Sequence, residues 1–99
     1  MKELGYSKGE TVVVDMDIYE WNTETPADPT GIGWEVYSPD NILMDSGTYP
    51  DNINRTGEGE YQFFWTLPSD APDGIWKIKF IIYSGVNSVI EWVRFVCGE

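Results

Sequence analysis

The chain has 99 residues, enough for one domain, and 41% of them are hydrophobic, which excludes a disordered chain. Its net charge of −11, from 17 acidic and 6 basic residues, repels nucleic-acid phosphates and anionic membranes, so we expect neither as a partner. It has no histidine and one cysteine, Cys97, which excludes an internal disulfide, a zinc site of histidines and cysteines, and catalysis through a histidine.

Short alternating segments separated by glycine, proline, asparagine and aspartate run along the chain, and helical periodicity is nearly absent. The first three strands are predicted over residues 11–19, 32–38 and 42–48. Between the second and third, Pro39 and Asn41 predict a tight turn, because proline presets φ and asparagine tolerates the left-handed region.

Three further strands are predicted over residues 60–67, 75–84 and 89–97, with a hairpin at Gly85 joining the last two. The stretch around Ile53 is an additional candidate for a short edge strand. Six strands with a possible seventh, and no repeat or second domain, are typical of a β-sandwich or a barrel.

Six short motifs lie in order over residues 8–97, and their sequence is similar to that of a known group of domains. They are Lys8-Gly9-Glu10, Pro26-Ala27-Asp28-Pro29-Thr30, Ser38-Pro39-Asp40, Arg55-Thr56-Gly57-Glu58-Gly59-Glu60-Tyr61, Leu67-Pro68-Ser69-Asp70-Ala71-Pro72-Asp73-Gly74-Ile75-Trp76 and Phe95-Val96-Cys97. The chain thereby resembles small immunoglobulin-like domains of tailed-virus and provirus structural proteins, relatives of bacterial immunoglobulin-like and macroglobulin-type modules.

The resemblance implies an all-β fold, an immunoglobulin-like β-sandwich of about six to seven antiparallel strands in two sheets. A single domain is expected over residues 1–99, with an N-terminal arm at 1–7 and the sandwich at 8–97. The resemblance also implies a virion component, such as a head decoration, neck or tail-associated protein, whose partners are copies of itself or other subunits. No apolar signal-peptide segment follows Met1, so we expect a protein made in the cytoplasm without a signal peptide and then found in the virion.

Acidic residues recur in loops and on one strand, and oxygen ligands of this kind can bind calcium. No EF-hand spacing is present, so turn formation and a solvated surface are the favoured explanation, and no cofactor or metal site is expected. The pairs concerned are Asp15 with Asp17, Asp40 with Asp45, and Asp70 with Asp73.

Strand alternation leaves a set of large side chains on the side away from the core, more than one domain needs on its surface. Exposed patches of this kind mark interfaces, whereas isolated surface aromatics are common and carry no function. The candidate interface residues are Tyr19, Trp21, Tyr37, Phe64, Ile81, Tyr83 and Trp92. The polar loop over residues 21–30 is a second candidate, because loops on a rigid sandwich often make contacts.

Three residues carry more specific expectations. Tyr61 is either the donor of a tyrosine corner, with its hydroxyl bonded to backbone, or an aromatic residue at the edge of the core. Cys97 is expected to be a buried structural thiol. In the last strand, inward Phe95 and Cys97 would place Glu91 inward as well, which is costly, so a bulge or a change of phase is expected.

These observations favour a protein that is not an enzyme but a structural or assembly module, which binds through a sheet face and loops. The alternative is a carbohydrate- or surface-binding accessory domain, in which Trp21 and Trp92 would stack against sugar rings.

Overall fold

The computed structural model describes residues 5–20 and 23–98, and this part of the chain forms eight β-strands without a helix. It therefore contains no helix long and apolar enough to span a membrane. The strands are β1 Gly5–Tyr6, β2 Thr11–Asp17, β3 Gly31–Tyr37, β4 Leu43–Thr48, β5 Ile53–Gly57, β6 Glu60–Thr66, β7 Gly74–Ser84 and β8 Asn87–Cys97.

The strands form two sheets, one of five strands in the order β1-β8-β7-β3-β4 and one of three in the order β2-β6-β5. The two sheets pack face to face as an immunoglobulin-like β-sandwich, which confirms the expected fold class. The candidate edge strand at Ile53 is confirmed as β5. One detail differs from the prediction: part of the expected N-terminal arm, Gly5–Tyr6, forms a strand that runs parallel to β8. Tyr6 is held there because its ring packs edge-on against Phe95, with centroids 5.7 Å apart.

Large aromatic side chains from both sheets meet in the core. Phe63 of the three-stranded sheet lies between Trp34 and Phe80 of the other sheet, with ring centroids 5.1 Å away in each case. Trp76 is fully buried between Trp65, at 5.7 Å, and Phe95, at 6.0 Å. Alternate residues of β3, β6 and β7 therefore supply this core, as the geometry of a β-strand requires.

Buried tryptophans need partners for their indole N–H groups, and this core supplies one to each. Trp34 donates to the carbonyl of Asp51 at 3.0 Å, and Trp76 donates to the carbonyl of Pro72 at 3.0 Å. Trp65 donates to the carboxylate of Asp45 at 2.9 Å. Asp45 was considered above as an acidic ligand, and the structure instead gives it a hydrogen-bonding role at the rim of the core.

Two turns follow the sequence prediction. Asn41 has a φ of 63° in the turn between β3 and β4, where its N–H donates to the carbonyl of Ser38 at 2.9 Å. Gly85 has a φ of 63° at the first position of the two-residue loop that joins Ser84 of β7 to Asn87 of β8. Both residues tolerate the left-handed region, which short connections of this kind require.

The predicted bulge or phase change in the last strand is wrong. The β7–β8 pairing continues without a shift from Gly74–Cys97 to Ser84–Asn87, and Glu91 keeps the phase of Phe95. Glu91 is nevertheless exposed, because both sides of β8 are exposed from Asn87 to Trp92. Strands of 11 residues extend past the 5- to 7-residue strands of the other sheet, so this end of the hairpin projects beyond the core.

Candidate functional site

The outer face of the five-stranded sheet carries an unusual concentration of large side chains. The inward residues of β3, β7 and β8 are fixed by the core, so the intervening residues must face away from it. We call this surface the Trp92 face. It consists of Glu35, Tyr37, Lys77, Lys79, Ile81, Tyr83, Ile90, Trp92 and Arg94.

Strand register places these residues in rows across β3, β7 and β8. The first row is Tyr37, Lys77 and Arg94; the second is Glu35, Lys79 and Trp92; the third is Gly33, Ile81 and Ile90; the fourth is Gly31, Tyr83 and Ser88. The face therefore changes from basic and aromatic in the first two rows to aliphatic in the third.

Trp92 is the most prominent side chain of the face, with 53% of its surface exposed. Its ring lies 5.9 Å from that of Tyr37 at an angle of 43°, so the two aromatics reach toward each other across β7. The Nζ of Lys79 lies 5.9 Å from the Trp92 ring centroid, a cation–π arrangement. These contacts hold an aromatic ring in place on a surface that the described chain leaves open.

Glu35 organises the polar edge of this cluster. The Tyr37 hydroxyl donates to Glu35 at 2.7 Å, and this hydrogen bond raises the pKa of Tyr37. Lys79 lies 3.8 Å from the same carboxylate, with both side chains about one quarter to one third exposed, 26% and 30%. Pairing of this kind fixes side-chain orientation more than it adds stability.

Glycines shape the other end of the face. Cβ atoms at Gly31 and Gly33 would lie 3.6 and 3.8 Å from ring atoms of Tyr83, so the Tyr83 ring lies close over both residues. Ile90 and Tyr83 are both exposed, and Ile81 is half-buried between them. The aliphatic and aromatic parts of the Trp92 face therefore adjoin, as the register of β3, β7 and β8 requires.

The charge of this face is opposite to that of the protein. Three of the six basic residues of the sequence lie here: Lys77, Lys79 and Arg94. Among the described strand residues that face outward on this sheet, Glu35 is the single acid. Lys77 and Arg94 are cross-strand partners of like charge, an arrangement that costs free energy unless an anion compensates it. Within the described part of the chain neither forms an ion pair.

The structure distributes the predicted interface residues over different surfaces. Tyr37, Ile81, Tyr83 and Trp92 come together on the Trp92 face. Phe64 lies on the outer face of the three-stranded sheet, opposite Val13 of β2. Tyr19 lies past the end of β2, exposed and bridged to Pro26. Trp21 lies outside the described residues.

The comparisons with known proteins bear on the fold. No protein-family model matches this chain, and no curated protein matches it significantly. A solved structure that is similar is the X-ray structure of the endo-β-1,4-mannanase from Thermotoga petrophila, with a TM-score of 0.63 and 14% identity. The similarity covers 99% of this chain and 18% of the mannanase chain. At this identity the likeness supports the sandwich and extends to nothing else.

A second polar cluster lies in the 23–30 segment and has a structural role. Asp28 accepts hydrogen bonds from Arg55 at 2.9 and 3.1 Å, from the Gly59 N–H at 2.9 Å and from the Tyr61 hydroxyl at 2.9 Å. These bonds, that from Arg55 first, lower the pKa of Asp28 to about 2. Asp28 therefore fastens the crossover between the two sheets to the β5–β6 hairpin.

The hydrogen bonds of Asp28 also test the expectation for Tyr61. Its ring is buried, and its hydroxyl donates to a carboxylate rather than to backbone, so of the two alternatives for Tyr61 the tyrosine corner is the wrong one. Burial, followed by the hydrogen bond to Asp28, raises the pKa of Tyr61. A side-chain acceptor 33 residues away leaves no local signal, which is why sequence reasoning missed it.

The remaining candidates concern metals and thiols. In residues 5–20 and 23–98 no three acidic or cysteine side chains come together in a group that could hold a metal ion. Asp15 accepts a hydrogen bond from Gln62 at 2.8 Å. Cys97 is buried, as predicted, and burial, followed by the nearby charge of Asp73, raises the pKa of its thiol.

Sequence reasoning also missed the basic residues of the Trp92 face as members of a site. The signal was present, because Lys77 and Lys79 alternate with the buried residues of β7. What it lacked was the pairing register, which brings Arg94 opposite Lys77 and Trp92 opposite Lys79.

Proposed function

We propose that this domain is a non-enzymatic assembly module, a component of a virion of the tailed-virus type, which binds another protein subunit through the Trp92 face. The observation that carries the proposal is the continuous aromatic, basic and aliphatic surface around Trp92. Interface centres are enriched in tryptophan, tyrosine and arginine, and large exposed apolar patches mark binding surfaces.

The composition of the face supports binding rather than chemistry. Trp92, Tyr37 and Arg94 belong to the residue types that dominate binding energy in protein interfaces. Tyr37, Lys79 and Trp92 are already held by contacts within the chain, so less side-chain entropy is lost when a partner binds. The virion assignment rests on the resemblance of residues 8–97 to structural domains of tailed viruses.

Site-specific photocrosslinking tests this proposal. A photoreactive phenylalanine derivative replaces Trp92 in the chain expressed in its own cells, and a matched variant carries it at Val86, at the fully exposed tip of the β7–β8 hairpin. We expect a discrete crosslinked protein, identified by mass spectrometry, from position 92 and none from position 86. Crosslinks of equal yield at both positions, or none at position 92, would contradict the proposal.

The virion assignment has its own measurement. Particles are separated by density-gradient sedimentation, and the chain is quantified in each fraction. We expect it in the particle fraction, with loss of particle association in Trp92→Ala and retention in the Val86→Ala control. Absence of the wild-type chain from particles, with crosslinking intact, would restrict the function to an assembly of another kind.

Carbohydrate binding is the second candidate, and the exposed ring of Trp92 with Lys79 and Glu35 beside it favours it. A sugar ring stacks on an open aromatic face, so Lys79 would have to move from its position 5.9 Å over that ring. Affinity gel electrophoresis in separate gels of soluble mannan, xylan and β-glucan measures this directly. Retardation that disappears in Trp92→Ala would favour the carbohydrate; unchanged migration would leave the protein subunit as the ligand.

A further inference from the structure

Two opposite faces of the sandwich carry opposite charges at matching positions. On the outer face of the three-stranded sheet, Asp17 and Glu60 are cross-strand partners of like charge, and Asp15 lies in the next row beside Gln62. The outward-facing described residues of β2 and β6 include no base. We call this surface the β2–β6 face; its members are Val13, Asp15, Asp17, Glu60, Gln62 and Phe64.

The spacing of charges and apolar pairs is the same on both faces. On the Trp92 face, the Lys77–Arg94 pair is followed four residues along both strands by the Ile81–Ile90 pair. On the β2–β6 face, the Asp17–Glu60 pair is followed four residues along both strands by Val13–Phe64. Four residues of strand span about 13 Å in each case.

This spacing lets two copies match in three rows at once. With strands aligned, Lys77–Arg94 of one copy faces Asp17–Glu60 of the next, and Ile81–Ile90 faces Val13–Phe64. The intermediate row places Lys79 and Trp92 opposite Asp15 and Gln62. Sheets pack face to face at about 10 Å with strands within about 30° of alignment, so side chains from both faces can reach each other.

We propose that a second copy of this chain docks its β2–β6 face onto the Trp92 face, so that copies stack head to tail. Each like-charge pair is unfavourable alone, and the contact places it against the opposite charge. Two Trp92 faces cannot pair equally well, because that contact would bring the basic Lys77–Arg94 row against either the same basic row or the aliphatic Ile81–Ile90 row of the other copy. Because the two surfaces in the contact are different, it leaves one free face at each end and repeats. This inference rests on the proposed function and names its partner.

The affinity of the contact depends on its buried area and on the salt concentration. The matched rows span about 13 Å along only two strands, which is small beside the roughly 800 Å² per partner of a standard interface, so each contact is weak. Two copies of charge −11 also repel at long range. At about 0.15 M salt the Debye length is about 8 Å, which screens that repulsion but leaves charges in contact.

Two variants each disable one face. Lys77→Glu with Arg94→Glu disables the Trp92 face, and Asp17→Lys with Glu60→Lys disables the β2–β6 face. Asp51→Lys with Asp70→Lys changes the net charge as the second variant does, at exposed turn positions outside both faces, and is the control. Thermal unfolding and circular dichroism establish that each variant folds; Lys77→Gln with Arg94→Gln replaces the first variant if that one does not.

Sedimentation equilibrium of the purified chain, from about 20 µM to about 1 mM, gives the mass. We expect the mass of the wild type and the control to rise with concentration, while each face variant alone stays monomeric. A mixture of the two face variants should associate although each alone is monomeric, because the intact acidic face of one meets the intact basic face of the other and the two charge-reversed faces are complementary as well. That recovery in the mixture is specific to contact between unlike faces.

A wild type that stays monomeric throughout overturns the stacking inference. So does a result in which the β2–β6 variant still associates and the Trp92-face variant does not, since that pattern belongs to pairing of identical faces. Either result leaves the proposed function standing if position 92 crosslinks to a different protein in cells. Loss of that crosslink, with association of the purified chain intact, would reject the cellular function and keep the stacking.

Discussion

Trp76 shows how much of this fold depends on single side chains. It is fully buried and contacts an aromatic ring from each sheet, Trp65 and Phe95. Trp76→Ala leaves a large cavity, and we expect it to lower the free energy of unfolding by about 3–5 kcal/mol, measured by urea denaturation. The matched variant Trp92→Ala removes an exposed ring of the same size and should cost under about 1 kcal/mol. Equal losses in the two variants would contradict the assigned phase of β7 and β8.

Asp28 gives the free energy of unfolding a pH dependence that can be assigned to one residue. Its pKa is about 2 in the folded chain, below its ordinary value of 3.8, so protons bind more tightly to the unfolded chain. The stabilisation it provides is complete above about pH 4 and is lost as the pH falls toward 2.

We therefore expect the stability difference between wild type and Asp28→Asn to be constant from pH 7 to pH 4.5 and to shrink as the pH falls further. Urea unfolding at each pH measures that difference. Asp70→Asn, at an exposed turn without a side-chain hydrogen bond in the described structure, is the control and should show no such trend. A difference that stays constant down to pH 2 would mean that the Arg55 and Tyr61 contacts do not depend on the charge of Asp28.

At the scale of elements, Gly59 allows the β5–β6 turn to pack closely against the crossover segment between β2 and β3. Its φ is 70°, and a Cβ there would collide with the carbonyl oxygen of Ile18 and lie 2.9 Å from the backbone nitrogen of Ala27. Gly85 has a similar φ of 63°, but nothing lies within 4 Å of its Cβ position.

Gly85→Ala should therefore show the conformational cost alone, about 1–2 kcal/mol. Gly59→Ala should cost several kcal/mol more, or prevent folding, because backbone atoms cannot move aside cheaply. Chemical denaturation of both variants gives the comparison. Equal losses would show that the crossover segment yields to the extra methyl group and is not fastened tightly at Asp28.

The elements that the sequence predicts are those whose signals are local. Alternation in β2, β6 and β7 identifies strand, phase and core together, and Asn41 and Gly85 locate their turns. Features that depend on partners far along the chain are not predictable in this way. The parallel pairing of Gly5–Tyr6 with β8, the Asp28 cluster and the projection of the β7–β8 hairpin all follow from how the sheets meet.

The residues of the candidate site were likewise predictable where their signal is local and not where it depends on strands far apart in the chain. The alternation of β7 and β8 predicts that Ile81, Tyr83 and Trp92 face outward, and they do. It does not predict that Phe64 belongs to the opposite side of the sandwich, since sheet membership is a property of topology. The basic character of the Trp92 face likewise depends on register, because Lys77 and Arg94 are 17 positions apart and meet only across two paired strands.

For the whole molecule, charge is a cost of the folded state as well as a means of recognition. The sequence carries 17 acids against 6 bases, and the three ion pairs of the described residues have side chains that are 26–71% exposed. Exposed pairs of this kind contribute little, whereas a large net charge repels itself most strongly in the compact state. Added salt therefore weakens the repulsion among the acidic groups more than it weakens the attraction within the ion pairs.

We expect the melting temperature at pH 7 and about 5 µM protein, where the proposed stacking is negligible, to rise between about 10 mM and about 150 mM NaCl. The Debye length falls over that range from about 30 to about 8 Å, and a gain of about 1 kcal/mol corresponds to about 4–8 °C for a domain of this size. At pH 4.1, near the isoelectric point, the net charge vanishes and the same salt change should leave the melting temperature nearly constant. A melting temperature that falls with salt at pH 7 would mean that the pairs at Asp28, Glu35 and Asp73 outweigh the repulsion among the remaining acids.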